Sequence, residues 1–136
     1  MDKSAHLSYL STLAHQGFVV CSVEYRTSNE GCYPMQIEDV KAAIRYLKAH
    51  ADRYRIDKEH FGAMGESAGG FLTCMAALDH DKAHDVGEYL EESSSIQAAC
   101  PWYPPTNLSI FKYKDAEECA ASMESLLLGY NIMRNI

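Results

Sequence analysis

Residues 65–69 read Gly65-Glu66-Ser67-Ala68-Gly69, a G-x-S-x-G pattern whose serine is the chain's candidate for covalent chemistry. The pattern works as a nucleophile elbow, a sharp strand-to-helix turn that pushes a serine out with strained backbone angles. Residues around such a serine must be small, because strand and helix pass close to it. Gly65, Ala68, Gly69 and Gly70 supply that smallness. The first turn of the following helix offers unbonded N–H groups and a positive dipole end to an oxygen gaining negative charge. The flanks fit, with a short apolar run before the turn and a run to Leu78 that is apolar on nearly every face. The plain alternative is a glycine-rich strand–helix turn with a solvent-facing serine.

A serine nucleophile needs a general base within about 3 Å of its oxygen. The chain has six histidines: His6, His15, His50, His60, His80 and His84. Only His80 and His84 follow both Ser67 and an aspartate, Asp79 or Asp81. His80 sits about 20 Å from Ser67 at the rise of a helix, and His84 is further still. His60 begins the elbow strand, at the opposite edge of a sheet. His15 and His50 end helices that run away from the serine. His6 is on the correct side and otherwise reads as an exposed helix histidine. None of the six is assigned the role.

Alternating elements must position the serine. Leu7, Leu10, Leu13 and Ala14 at helical spacing predict a helix over residues 4–15, with Gly17 as its stop. Residues 18–23 (FVVCSV) predict a buried parallel strand, and 27–33 a loop. Pro34 opens a helix to about residue 53, with Ile37, Val40, Ile44, Leu47 and Ala51 as one core-facing stripe. Glu38, Lys41, Arg45 and Lys48 fall on its other face and read as solvated. Asp39 with Arg26 reads as an ion pair tying the preceding loop to this helix. The elbow strand and helix follow, then a polar surface excursion over 79–95, a third strand over 96–103, and a last helix over 115–128 stopped by Gly129. Trp102 and Tyr103, with Pro104 and Pro105, follow a strand's carboxyl end. They are candidates for a substrate-pocket wall or for plain core packing. The helix over 115–128 is either a lid or an ordinary covering helix. Helix–strand alternation implies an α/β fold with three or so parallel strands, and catalytic loops at their carboxyl ends, where Ser67 sits.

Composition narrows the class. The chain has 136 residues, 47% hydrophobic and 23% charged, as expected for a single globular domain. A net charge of -7 argues against a nucleic-acid or anionic-membrane surface. No apolar run approaches the ~20 residues that span a bilayer, and the first ten residues show no signal-peptide core. Five cysteines without C-x-x-C spacing suggest neither a zinc site nor a disulfide framework. Cys21, Cys74 and Cys100 read as small core residues. A reducing compartment, the cytoplasm, fits; no metal or cofactor is implied.

Three stretches, GFVVCSVEYRTSNEGCYPMQIEDVKAAIRYL, IDKEHFGAMGESAGG and ACPWYPPTNL, resemble the α/β-hydrolase esterase/lipase family. The likeness is to its acetyl-esterase and feruloyl-esterase-like (BD-FAE) branch, related to hormone-sensitive lipase. The resemblance implies a partial α/β-hydrolase fold and a serine carboxylic-ester hydrolase acting through an acyl-enzyme on Ser67. The Ala68 N–H would be an oxyanion donor, and Glu66 would orient the turn. Asn107 stands where relatives often carry aspartate, though not at the triad acid. The implied substrate is a small ester, short-acyl or feruloyl. Family members carry an H-G-G-G-type loop upstream of the first helix, and an Asp or Glu and then a His after later strands. The resemblance therefore implies that residues 1–136 are the central part of one hydrolase domain, without those two regions. The competing expectations are a truncated, catalytically inactive fragment or interaction module, whose unpaired strand edges invite pairing, and a split enzyme completed by a second chain.

Overall fold

The computed structural model describes residues 7–132. Helix α1 spans Leu7–His15. It closes as foreseen: Gly17 takes φ +93°, its N–H reaches Ala14 O, and the Phe18 N–H reaches Leu13 O. That pair of bonds is a Schellman cap, which glycine allows at no steric cost. Residues 4–6, and with them His6, lie outside the described residues.

Helix α2 spans Met35–Ala49, and a short α3, Ala51–Tyr54, follows after a break at His50. Arg55 ends it in the left-handed region at φ 57°. Strand β1 is Gly62–Glu66, helix α4 is Ala68–Leu78 and strand β2 is Ala98–Trp102. The strands pair parallel, Gly62 opposite Ala98 through Glu66 opposite Trp102. The chain is thus α/β, with α4 as the crossover between parallel neighbours. α4 packs on both strands and α2 packs on α4. Their seam is the core: Ile37 and Ile44 of α2 against Leu72 and Ala76 of α4, with Tyr25, Tyr33, Phe61 and Ile96 closing around them.

Four expectations need correction. Residues 18–23 form no strand, and the sheet has two strands among the described residues. The segment joins no sheet, and Phe18 is 61% exposed. Composition makes a run fit for a sheet; only a hydrogen-bonding neighbour makes it a strand. Cys21 and Cys100 are exposed and Cys74 is half-buried, while Cys119 is the buried thiol. Cys100 lies on β2, whose residues are all exposed.

The supposed solvated face of α2 is also buried. Lys41 is 2% exposed and Arg45 0%, and Lys48 is buried with them. These three side chains collect the backbone of residues 79–95. Lys41 Nζ donates to Asp81 O at 2.9 Å, Arg45 donates to the carbonyls of Val86 and Glu88, and Lys48 Nζ donates to Ser95 O at 2.8 Å. Arg45 also pairs with Asp85 at 2.8 Å. An irregular excursion laid on a helix has carbonyls that need donors, and long basic side chains reach them. Burial pushes the Lys48 ammonium below its ordinary value.

The last predicted helix is two. α5, Ala116–Ala120, starts at Asp115, whose carboxylate accepts the Glu117 and Glu118 N–H groups. α6, Met123–Leu128, starts at Ser122, whose hydroxyl accepts the Ser125 N–H. The Ser122 cap is what divides the run. Gly129, at φ 76°, ends it as expected.

Candidate active site

Ser67 stands alone between β1 and α4, with φ 51° and ψ -117°. A serine at positive φ is uncommon and is held there only by its surroundings. Two bonds hold it. Its N–H donates to Trp102 O at 3.0 Å, carrying the β1–β2 ladder one step past the strand end. Its carbonyl accepts the Phe71 N–H at 2.9 Å, the first bond of α4. The residue is therefore strand on one side and helix on the other, and its side chain is left exposed with that of Ala68.

The glycines of the turn differ in what they do. A Cβ on Gly65 would lie 2.5 Å from the carbonyl of Gly69. A Cβ on Gly70 would lie 2.7 Å from Trp102 O. Strand and helix touch at these two points, as the elbow requires. A Cβ on Gly69 would meet nothing within 4 Å, so the smallness expected of Gly69 is not a packing need. What the tight turn uses of Gly69 is its backbone.

Glu66, the last residue of β1, points to the exit of β2. The Tyr103 hydroxyl donates to its Oε2. Tyr103 sits at φ 37° and is 67% exposed, and Trp102 is exposed beside it. Both stand exposed at the carboxyl end of β2 rather than in the core. The Glu66–Tyr103 bond joins residues far apart in sequence and had no local signal.

Four of the five described histidines are bonded away from Ser67, and His80 lies past the far end of α4. His84 Nδ1 bonds Asp79 Oδ2 at 2.6 Å, and Asp79 is the residue that ends α4. That places the pair about 18 Å along the helix from the serine. The Asp79 carboxyl is raised by burial, but bonds from His84 and Asp81 N–H and the nearby Lys41 outweigh this and hold it below its ordinary value. A cavity of about 480 Å³, bordered by Lys41, Asp79, His80 and Asp85, opens at this same far end. His60 bonds Asp57 before β1 begins, His50 Nδ1 bonds Tyr46 O, and His15 Nδ1 bonds Ser11 O. Among the described residues no group of three or more His, Cys, Asp or Glu side chains could hold a metal ion, and no helix is long and apolar enough to cross a membrane.

Arg26 and Asp39 form the expected pair, with Nη2 to Oδ1 at 2.8 Å and Nε to Oδ2 at 2.9 Å. The Arg26 N–H adds a bond to the same carboxylate at 2.9 Å. The contact fastens the loop before α2 to the helix and is remote from the elbow in sequence.

A parallel α/β sheet, with a strained serine on the strand-to-helix turn, is the arrangement of the α/β-hydrolase class. The BD-FAE family profile matches residues 1–136, and the chain belongs to that family. The probable carboxylic ester hydrolase LipM of Mycobacterium tuberculosis is 35% identical over 94 residues, covering 69% of this chain and 22% of LipM. A bifunctional GH43-CE protein of Bacteroides eggerthii superposes with a TM-score of 0.85 and 31% identity, over 98% of this chain and 19% of that one. A truncated form of a carbohydrate esterase from gut microbiota gives 0.66 and 32%, over 79% of this chain and 42% of that one. The chain spans less than a quarter of LipM's length.

Proposed function

We propose that the chain is the central part of a serine carboxylic-ester hydrolase domain and that Ser67 is its nucleophile. The observation that carries this is Ser67 at φ 51° and ψ -117° at the head of α4, with its side chain exposed. In the proposed reaction Ser67 Oγ attacks the ester carbonyl carbon while a base removes the serine proton. The oxyanion so formed meets the Ala68 N–H and the positive end of α4, an eleven-residue helix. Collapse releases the alcohol, which takes the proton, and leaves an acyl-Ser67 ester. Water then attacks that ester, the acid leaves, and Ser67 recovers its proton. The base and its acid partner come from outside the described residues, since four of the five described histidines are bonded elsewhere and His80 lies past the far end of α4.

The substrate in this reading is a small ester, acetyl or feruloyl, on a carbohydrate. The carbohydrate esterase among the similar structures and the exposed Trp102–Tyr103 rim support it. A reducing, cytoplasmic setting is supported by five free cysteines. The test is hydrolysis of p-nitrophenyl acetate and methyl ferulate by the chain beside Ser67→Ala. Turnover lost in the variant supports the reading; turnover that survives undiminished in the variant overturns it.

A second reading, a hydrolase fragment that does no chemistry, has an observation of its own. The half-buried His–Asp pair, His84–Asp79, is at the wrong end of α4. Loss of base and half an oxyanion hole leaves only a small part of a serine hydrolase's rate.

A further inference from the structure

We infer that Tyr103 is a positioning residue, acting through Glu66 to hold the Ser67 turn in its strained form. The consequence for catalysis rests on the proposed function; the mechanical claim does not. β1 and β2 end in register, Glu66 opposite Trp102. The next residue on each strand leaves the sheet with a positive φ: Ser67 at 51° and Tyr103 at 37°. Two non-glycine residues in that region, side by side at one sheet end, are each costly and need bracing. The bracing runs crosswise. Ser67 N–H donates back to Trp102 O, and the Tyr103 hydroxyl donates to Glu66.

Burial does not explain the tyrosine's conformation, because the residue is 67% exposed. Pro104 follows it and disfavours the helical region at Tyr103, without fixing a positive φ. The bond to the Glu66 carboxylate ties the ring to the last residue of β1, and charge-assisted bonds of this kind are about twice as strong as neutral ones. The helix head presses on the same exit, since a Cβ on Gly70 would lie 2.7 Å from Trp102 O and 3.4 Å from Pro104 Cα. Freed from Glu66, residues 102–104 lose one of the contacts that keep Trp102 O beneath the Ser67 N–H. The serine can then relax out of the geometry that exposes its oxygen.

Hydrogen–deuterium exchange of the folded chain tests this without needing catalysis. Tyr103→Phe removes only the hydroxyl. It is expected to speed exchange of the peptide carrying the Ser67 amide about tenfold, as for loss of one charge-assisted bond, with α2 unaffected. Glu66→Ala is expected to do the same, and the double variant no more than either single one. Glu66→Gln keeps an acceptor for the phenol but not its charge and is expected to exchange between the parent and Glu66→Ala, a partial rescue that mere filling of space does not produce. Unchanged exchange in Tyr103→Phe, or additive effects in the double variant, overturns the inference. Failure of the parent chain to react with a fluorophosphonate contradicts the esterase reading alone, and the exchange comparison still decides the role of Tyr103.

Discussion

The Cβ that Gly65 lacks would sit 2.5 Å from both the carbonyl carbon and the oxygen of Gly69. Strand β1 and helix α4 therefore approach at Gly65 to a distance no side chain tolerates, and the serine between them is squeezed outward. Gly65→Ala is expected to cost about 1–3 kcal/mol, the usual range for forced overpacking, and to slow reaction at Ser67 by more than tenfold. Gly69→Ala is expected to do the opposite. Its added methyl enters open space inside a helix, so it should stabilise the chain by about 0.4–1 kcal/mol. Thermal unfolding of both variants checks the pair; a destabilised Gly69→Ala would mean that the turn is tighter than described.

The buried basic face of α2 makes a second claim. Arg45→Met leaves the Asp85 carboxylate and the carbonyls of Val86 and Glu88 without their donor. Breaking one side of a buried pair costs about 3 kcal/mol or more. The expected result is a lower denaturant midpoint together with faster amide exchange across residues 79–95. Arg45→Met at parental stability would return this face to the solvated role its charge suggests.

Acid sensitivity follows from the Arg26–Asp39 contact. Burial raises the Asp39 carboxyl, but the Arg26 hydrogen bonds outweigh it and hold the folded group below the ordinary 3.8. The unfolded chain thus binds that proton more readily than the folded one. The stability this contact contributes is complete above 3.8 and is lost as pH falls through the lower folded value. Asp39→Asn is expected to lower the melting temperature near neutral pH and to reduce its further fall between about pH 5 and pH 3. An unchanged acid profile would show that other carboxylates carry it.

The elbow was legible in the sequence because everything that defines it is local: small residues at fixed offsets, a strand before and a helix after. The Gly17 and Gly129 helix stops were legible for the same reason, since each rests on neighbouring residues, and the Arg26–Asp39 pair spans a single loop between consecutive segments. Lys41, Arg45 and Lys48 misled because their burial depends on where residues 79–95 land, and helical periodicity carries no such information. Phe18 to Val23 misled because a strand is defined by its partner. The division at Ser122 did carry a signal, a capping serine followed three residues later by Ser125, within a run whose period was otherwise helical. The Glu66–Tyr103 bond carried none, because it depends on the register of two strands.

The most direct measurement is the intact mass of the folded chain after exposure to a fluorophosphonate, with Ser67→Ala treated alongside. If Ser67 is a working nucleophile, one phosphonyl adduct forms, peptide mapping puts it on Ser67, and the alanine variant stays unmodified. An alanine variant that gains as much mass as the parent would contradict the role given to Ser67, and a folded parent chain that gains none would leave the hydrolase fragment that does no chemistry.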